Sequence, residues 1–266
     1  MTSKKEYGNE SISSLKGADR VRQRPAVIFG SDGLEGCEHS ILEIISNSID
    51  EAREGFGKQI VVTKYSDDSV EVNDSGRGIP VEYNHSEQRW NWELVFCELY
   101  AGGKYNNDEN ESYEYSLGLN GLGLCSTQYA SEYMDTEIHR DGMCYTLHFE
   151  HGKNIGGLKK KKYSGTDTGT KIRWKPDIAV FTDIHVPDEY YCDTLKRQAI
   201  VNDGISFIFR SRKEDGSFVE QKFLYQNGIV DHAKEIAGSD FLTPVQYWQA
   251  QRRVRDRSDK PEYNVK

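Results

Sequence analysis

The sequence predicts an α+β two-layer sandwich, a mixed and mostly antiparallel sheet with helices on one face. Three observations lead there. The strand-like runs come mainly in pairs joined by short turns, which makes hairpins rather than crossovers. The helix-like runs carry an apolar stripe, so each needs a surface to lie against. No internal repeat is present to suggest a solenoid.

The elements follow in order. Residues 15–24 read as a short helix stopped before Pro25, because the residue ahead of a proline is pushed out of the helical region. Over 38–52, Ile41, Leu42, Ile44, Ile45, Ile49 and Ala52 recur at helical spacing, and Gly55 with Gly57 ends the run. Residues 60–65 and 69–74 read as two strands around Ser66-Asp67-Asp68. A second helix is expected over 92–100. Residues 101–115 are polar, Asn-rich and irregular, the composition of a lid. Glycines over 118–123 open a further helix over 124–130. Residues 136–149 alternate as a strand pair about Asp141-Gly142, and 171–174 adds a strand. Residues 188–201 are helical, and 205–210 pairs with 218–225 around Asp215-Gly216. After Gly238 the pattern weakens. The expected organisation is an arm over 1–20, one domain over 21–228 and the start of another over 229–266.

The chain has 266 residues and a net charge of −9, with 36% hydrophobic and 29% charged residues. Apolar runs recur throughout, which excludes a disordered chain. The negative balance argues against this chain being the main grip on nucleic acid. Cys37, Cys97, Cys125, Cys144 and Cys192 are odd in number and form no CxxC pair. They read as reduced core thiols, not as a zinc site or a disulfide frame. No apolar run approaches the ~20 residues of a membrane span, and the polar start is no signal peptide. A cytoplasmic protein without a membrane partner is expected.

Three motifs carry chemistry. His39, Glu43, Asn47 and Asp50 follow at steps of four, four and three, so they share one face of the first long helix. Such groups are costly to hold on a half-buried helix unless something satisfies them. A hydrated magnesium ion with phosphates, and a water needing a base, would do so; a solvent-facing polar stripe would look the same. Next, Asp74-Ser75-Gly76-Arg77-Gly78-Ile79-Pro80 leaves a strand end into a tight turn. Its carboxylate can accept from an exocyclic amine, and its glycines let backbone approach a flat ring. An ordinary Asp/Gly turn would read alike. Third, Gly118-Leu119-Asn120-Gly121-Leu122-Gly123 runs into a helix, so its amides and the helix dipole can hold anionic phosphates. No GK[ST] follows, which excludes a Walker loop; a glycine-rich connector remains open. In this order, about 30 to 45 residues apart, the three are far more specific than any one.

On these motifs the chain resembles the GHKL ATPases and, more narrowly, the ATPase domain of type IIA DNA topoisomerase B subunits, those of bacterial gyrase or topoisomerase IV. The resemblance covers about Tyr7 to Gly228. It includes Leu15-Lys16-Gly17 through Arg24-Pro25, the 43–52 and 74–80 stretches, Ala101-Gly102-Gly103-Lys104 and Thr168-Gly169-Thr170. It implies a Bergerat-type sandwich with ATP and Mg2+ as ligands. Glu43 would be the general base for the attacking water, and His39 would hold that carboxylate. Asn47 would bind magnesium, with Asp50 beside it in the nucleotide site. Asp74 would read adenine, supported by the Thr170 hydroxyl or a shared water. Arg77, Gly78, Ile79 and Pro80 would wall the ring. Arg140 would lie at the mouth, where aminocoumarin inhibitors bind in relatives. Lys104 and the amides of Gly118, Leu119, Asn120, Gly121, Leu122, Gly123 and Leu124 would cover the phosphates as the lid closes. Tyr7 and Ile12 would reach a partner copy, Tyr7 touching nucleotide in trans.

The pattern departs from the family in places. Leu117 and Asn120 stand where the family has glycine and histidine, and Arg24 to Gly30 replaces the usual Pro-Gly-Met-Tyr-Ile-Gly. For the whole protein the resemblance implies an ATP-dependent DNA topoisomerase. ATP would close a homodimeric clamp on duplex DNA, and a gyrase A or topoisomerase IV A type subunit would be the partner. Residues 229–266 would begin a transducer domain. With only that much of it, the chain is expected to bind ATP, hydrolyse it weakly and stay largely monomeric. Two alternatives are a noncatalytic nucleotide-dependent clamp, against which Glu43 counts, and a histidine-kinase catalytic domain. The Arg-Pro and Ala-Gly-Gly-Lys stretches oppose the latter. The lysine run 159–162 reads as a solvated hairpin edge or a DNA contact.

Overall fold

A computed structural model describes residues 14–101, 122–213, 215–238, 242–248, 250, 252–255 and 263–265. Two short helices, α1 (Asp19–Arg22) and α2 (Pro25–Phe29), lead into the long α3 (Leu34–Arg53). The hairpin β1 (Gln59–Lys64) and β2 (Val70–Asp74) follows, then a small ribbon, β3 (Tyr83–Asn84) and β4 (Arg89–Trp90), and α4 (Asn91–Cys97). Helix α5 (Gly123–Tyr129) precedes β5 (Ser131–Arg140), β6 (Met143–Glu150), β7 (Lys153–Asn154), β8 (Lys159–Lys162) and β9 (Gly169–Pro176). Helix α6 (Asp188–Val201), the hairpin β10 (Ser206–Arg212) and β11 (Phe218–Phe223), α7 (Ile229–Ala237) and a short pair, β12 (Arg252–Val254) and β13 (Tyr263–Val265), complete the order.

The main sheet runs β11-β10-β1-β2-β9-β5-β6-β7, with β8 also on β6. Its β1–β10 pair is parallel and its other pairs are antiparallel. This is the expected α+β architecture. Alternation decides the two faces. Ile60, Val62, Val72, Met134, Leu147, Ile172 and Trp174 point into one core with α3, α5 and α6, each nearly fully buried. The opposite face of β2, β5, β6 and β9 carries Glu71, Asp135, Glu137, His148, Lys171 and Arg173. Helix α3 buries Ile41, Ile44, Ile45 and Ile49 at 1% exposure or less. At about 1.5–3 kcal/mol per fully buried side chain, these four fix the helix against the sheet. Trp174 adds a polar tie, its Nε1 donating to the Thr127 carbonyl of α5 at 2.9 Å.

Two expectations are corrected. Pro25 ends one helix as expected, yet it also begins α2 at its first position. A proline there loses no hydrogen bond and has the right φ already, while Arg24 before it is non-helical. Helix α4 stops at Cys97, short of Tyr100, because Glu98 turns extended and Tyr100 takes a positive φ. Of the four tryptophans Trp174 is fully buried, while Trp90 and Trp248 are exposed. All five cysteines are unpaired. The 159–162 lysines form β8 on β6, every one exposed, the charged edge the sequence suggested. No helix among the described residues is long and apolar enough to cross a membrane.

Candidate functional site

Helix α3 supplies one polar stripe, and the structure shows what each residue of it touches. His39 Nε2 lies 3.1 Å from Glu43 Oε1, one turn away, so the imidazole can orient the carboxylate. Asn47 donates its Nδ2 to the Glu43 main-chain carbonyl at 2.8 Å, which leaves its amide oxygen, a hard donor, as the atom that could ligate a metal ion. Asp50 is buried at 5% exposure. The first two residues of the stripe are open, with His39 and Glu43 side chains 47% and 28% exposed. Across from the stripe, Gly123 begins α5, and a Cβ on it would overlap the Glu43 carboxylate. The last glycine of the Gly-rich motif thus leaves the room that the helix carboxylate occupies, and a side chain there would push that carboxylate aside. Leu122 and Leu124 flank it, Leu124 in the core.

Asp74 ends β2 and is held from three sides. Its Oδ2 accepts from Ser48 of α3 at 2.8 Å, and its Oδ1 from the amides of Gly76 at 3.0 Å and Thr170 at 3.1 Å. Burial pushes the Asp74 carboxyl above the usual aspartate range; the Gly76, Ser48 and Thr170 donors oppose the shift, and the nearby Glu51 charge adds to it. The β9 strand closes on this point because a Cβ on Gly169 would overlap the Asp74 carbonyl. Thr168 Oγ1 donates to the Gly76 carbonyl at 2.6 Å, stitching the two segments once more.

The turn after Asp74 is fixed from outside. Gly78 sits at φ +79°, where a Cβ would come within 2.7 Å of the His139 carbonyl. Arg140 donates Nη1 to the Gly78 carbonyl at 2.7 Å and so lies beside the turn. Arg77 is bound to Glu51 three times, through its amide at 2.9 Å, Nε at 2.7 Å and Nη2 at 2.9 Å, and its guanidinium lies 3.7 Å over the Phe56 ring. Burial alone would raise Glu51; the Arg77 hydrogen bonds and charge outweigh it and hold the carboxyl below the usual range. Ile79 is partly buried and Pro80 exposed. One contact differs from expectation. The Thr170 hydroxyl accepts from the Ile79 amide at 3.1 Å, and it is the Thr170 main-chain amide that serves Asp74.

Glu43, His39, Asn47, Asp74, Arg77, Gly78, Gly123 and Thr170 thus gather around α3 and the β2–β9 junction. Tyr7, Ile12, Lys104, Leu117, Gly118, Leu119, Asn120 and Gly121 lie outside the described residues. Sequence reasoning missed Ser48, Glu51 and Thr168. Glu51 carried a signal, since 39, 43, 47 and 51 form one unbroken series of steps of four.

The 34–179 region matches the family described as histidine kinase-, DNA gyrase B-, and HSP90-like ATPase. The chain is 35% identical to the DNA gyrase B subunit of Thermotoga maritima over 261 residues, covering 97% of this chain and 40% of that protein. It is 35% identical to that of Synechocystis sp. over 227 residues, 85% of this chain and 21% of the relative. It is 34% identical to the DNA topoisomerase 4 B subunit of Enterococcus faecalis over 245 residues, 91% and 35% of the two chains. The chain spans at most two fifths of the length of these relatives.

Proposed function

Because the chain belongs to the histidine kinase-, DNA gyrase B- and HSP90-like ATPase family, we propose that it is the ATP-hydrolysing domain of a type IIA topoisomerase B subunit. One observation carries this reading. Helix α3, which carries the first motif, meets the other two, Glu43 against Gly123, and Ser48 and Glu51 on Asp74 and Arg77. A single nucleotide laid along that helix would have its ring at Asp74 and its phosphates near Glu43.

In this reading Asp74 accepts from the adenine amine and fixes the base. Glu43 takes a proton from the water that attacks the γ-phosphate, and His39 holds the carboxylate in line. Asn47 would hold a magnesium ion through its amide oxygen, and that ion would neutralise phosphate charge. Lys104 and residues 118–121 would close over the phosphates, and Tyr7 would reach a partner copy. In the whole protein the domain would drive clamp closure on duplex DNA in the cytoplasm, beside a gyrase A or topoisomerase IV A type subunit. Residues 229–266 would lead into a transducer domain.

Calorimetric titration with Mg-ATP tests the core of it. One nucleotide per chain is expected, with ATP preferred over GTP and binding weakened in Asp74→Asn. Equal affinity for both nucleotides would remove Asp74 as the reader of the base. Supercoiling or decatenation that needs ATP, measured on the assembled enzyme, tests the larger role.

A further inference from the structure

On the sheet face away from α3, three unlike donor side chains converge, Glu137 and His139 partly exposed and Cys144 buried at 1% exposure. The β5–β6 register sets His139 directly opposite Cys144, and Glu137 lies two residues back on the same face of β5. One ligand atom from each residue lies within 4.8 Å of the other two. We propose that Glu137, His139 and Cys144 bind a zinc-class transition metal ion. A carboxylate oxygen, an imidazole nitrogen and a thiolate are the donors such an ion takes, and three protein ligands leave the fourth tetrahedral position to water.

The surroundings are those of a built site. His139 Nε2 faces Glu137, 3.4 Å from its Oε1, while Nδ1 lies 3.4 Å from Asp167 Oδ2. A carboxylate on the second ring nitrogen is what fixes the tautomer of a ligating histidine. Asp167 is itself held by the Tyr163 hydroxyl at 2.9 and 3.0 Å. The Tyr163 ring stacks on His139 with centroids 3.8 Å apart, which fixes the imidazole plane. A depression of about 310 Å³ adjoins the cluster on its Glu137 side, where Glu137, Thr146, Lys159 and Lys171 are among its lining residues. Two cations oppose binding. Lys171 Nζ is 2.9 Å from Glu137 Oε1, and Lys161 stands across from Cys144 in register. A carboxylate has two oxygens, so Lys171 and a metal ion can share it. Cys144 enters as thiolate, its proton going to solvent. Cysteine spacing gives no hint of this site, because its ligands lie on two paired strands instead of in one CxxC turn.

The competing account is a metal-free imidazole held between Glu137 and Asp167. Titration of the whole chain with Co2+ alone, then Zn2+, separates them. The expected result is one Co2+ per chain with thiolate-to-cobalt charge-transfer absorption that Zn2+ abolishes. That band should vanish in Cys144→Ser and in His139→Gln, and Asp167→Asn should weaken binding about 10- to 100-fold. Circular dichroism identifies any variant that fails to fold, and the partly exposed His139→Gln then decides. Absence of the band in the folded wild-type chain overturns the proposal, as does a band that survives either ligand substitution.

Discussion

At the ring end of the candidate nucleotide site, Asp74 has three donors from three separate segments, and β9 is pressed against it at Gly169. At the phosphate end, Glu43 has one side-chain partner among the described residues, His39, itself 47% exposed. The first region is finished before any ligand arrives; the second presents its polar groups to solvent. Reading a base demands fixed acceptors, since an unpaired polar group in a closed pocket is what rejects a wrong ligand. Moving a proton demands a base that can reach a water brought in with the substrate. The contrast predicts that the two ends fail differently when altered.

The largest effect belongs to the open end. Glu43→Gln keeps the shape and removes the proposed base, so ATP hydrolysis should fall by about 10²- to 10⁴-fold. Nucleotide affinity should stay within a few-fold, because Asp74 and its donors are untouched. A steady-state phosphate-release assay beside a binding titration reads both numbers. Hydrolysis near the wild-type rate would reassign the base and erase the contrast.

Asp74→Asn should do the reverse. Asparagine can keep its oxygen on the Gly76 and Thr170 amides and offer its amino group to Ser48 Oγ, so the fold is retained. What it loses is the acceptor for an exocyclic amine, a charge-assisted bond worth about 1.5–3 kcal/mol. Affinity for ATP should drop by about 10- to 100-fold. Because burial raises the folded-state value for Asp74, that carboxylate costs stability above its raised value. The contribution is most favourable below the ordinary aspartate range and is lost as pH rises through the raised value. Unliganded Asp74→Asn should therefore unfold no earlier than wild type near pH 7, and a clear loss of Tm would contradict this.

Much of this contrast was legible in the chain. The hydrophobic stripe of α3 and the Asp141-Gly142 and Asp215-Gly216 turns announce their elements by local chemistry, and the structure keeps them within a few residues. The three nucleotide motifs were equally visible. What joins them was not. Ser48 reads as one more small polar residue on a helix until β2 is packed beside it, and Thr168 and Thr170 meet the Asp74 turn from about ninety residues further along the chain. Long-range pairing of β9 on β2 creates those contacts, and periodicity cannot report a partner. The same holds for the double role of Pro25, which depended on where α2 could lie.

A third, smaller test concerns what steadies the finished end. Glu51 and Arg77 form a partly exposed pair with three hydrogen bonds, and the Glu51 carboxyl is held below its usual range. A lowered acid stabilises the fold above its unfolded value and loses that contribution as pH falls through the folded one. Arg77→Ala should thus cost about 1–2 kcal/mol near pH 7, less than a fully buried pair because both side chains meet solvent. Urea unfolding at pH 7 and near pH 3 should show the two proteins converging in acid. A constant gap would mean that stacking on Phe56, not the ion pair, holds the turn.

The smallest effect separates two ways of supporting Asp74. Thr170→Val leaves the main-chain amide that donates to Asp74 and removes only the hydroxyl that accepts from Ile79. Losing that acceptor should cost about 1 kcal/mol of stability and no more than a few-fold in ATP affinity. Ser48→Ala removes a hydroxyl that reaches the carboxylate itself, so it should weaken binding more than Thr170→Val and less than Asp74→Asn. Calorimetry on the three variants gives that order directly. If Thr170→Val instead matched Asp74→Asn, the hydroxyl would be acting on the base, and the finished end would extend one residue further along β9 than the hydrogen bonds place it.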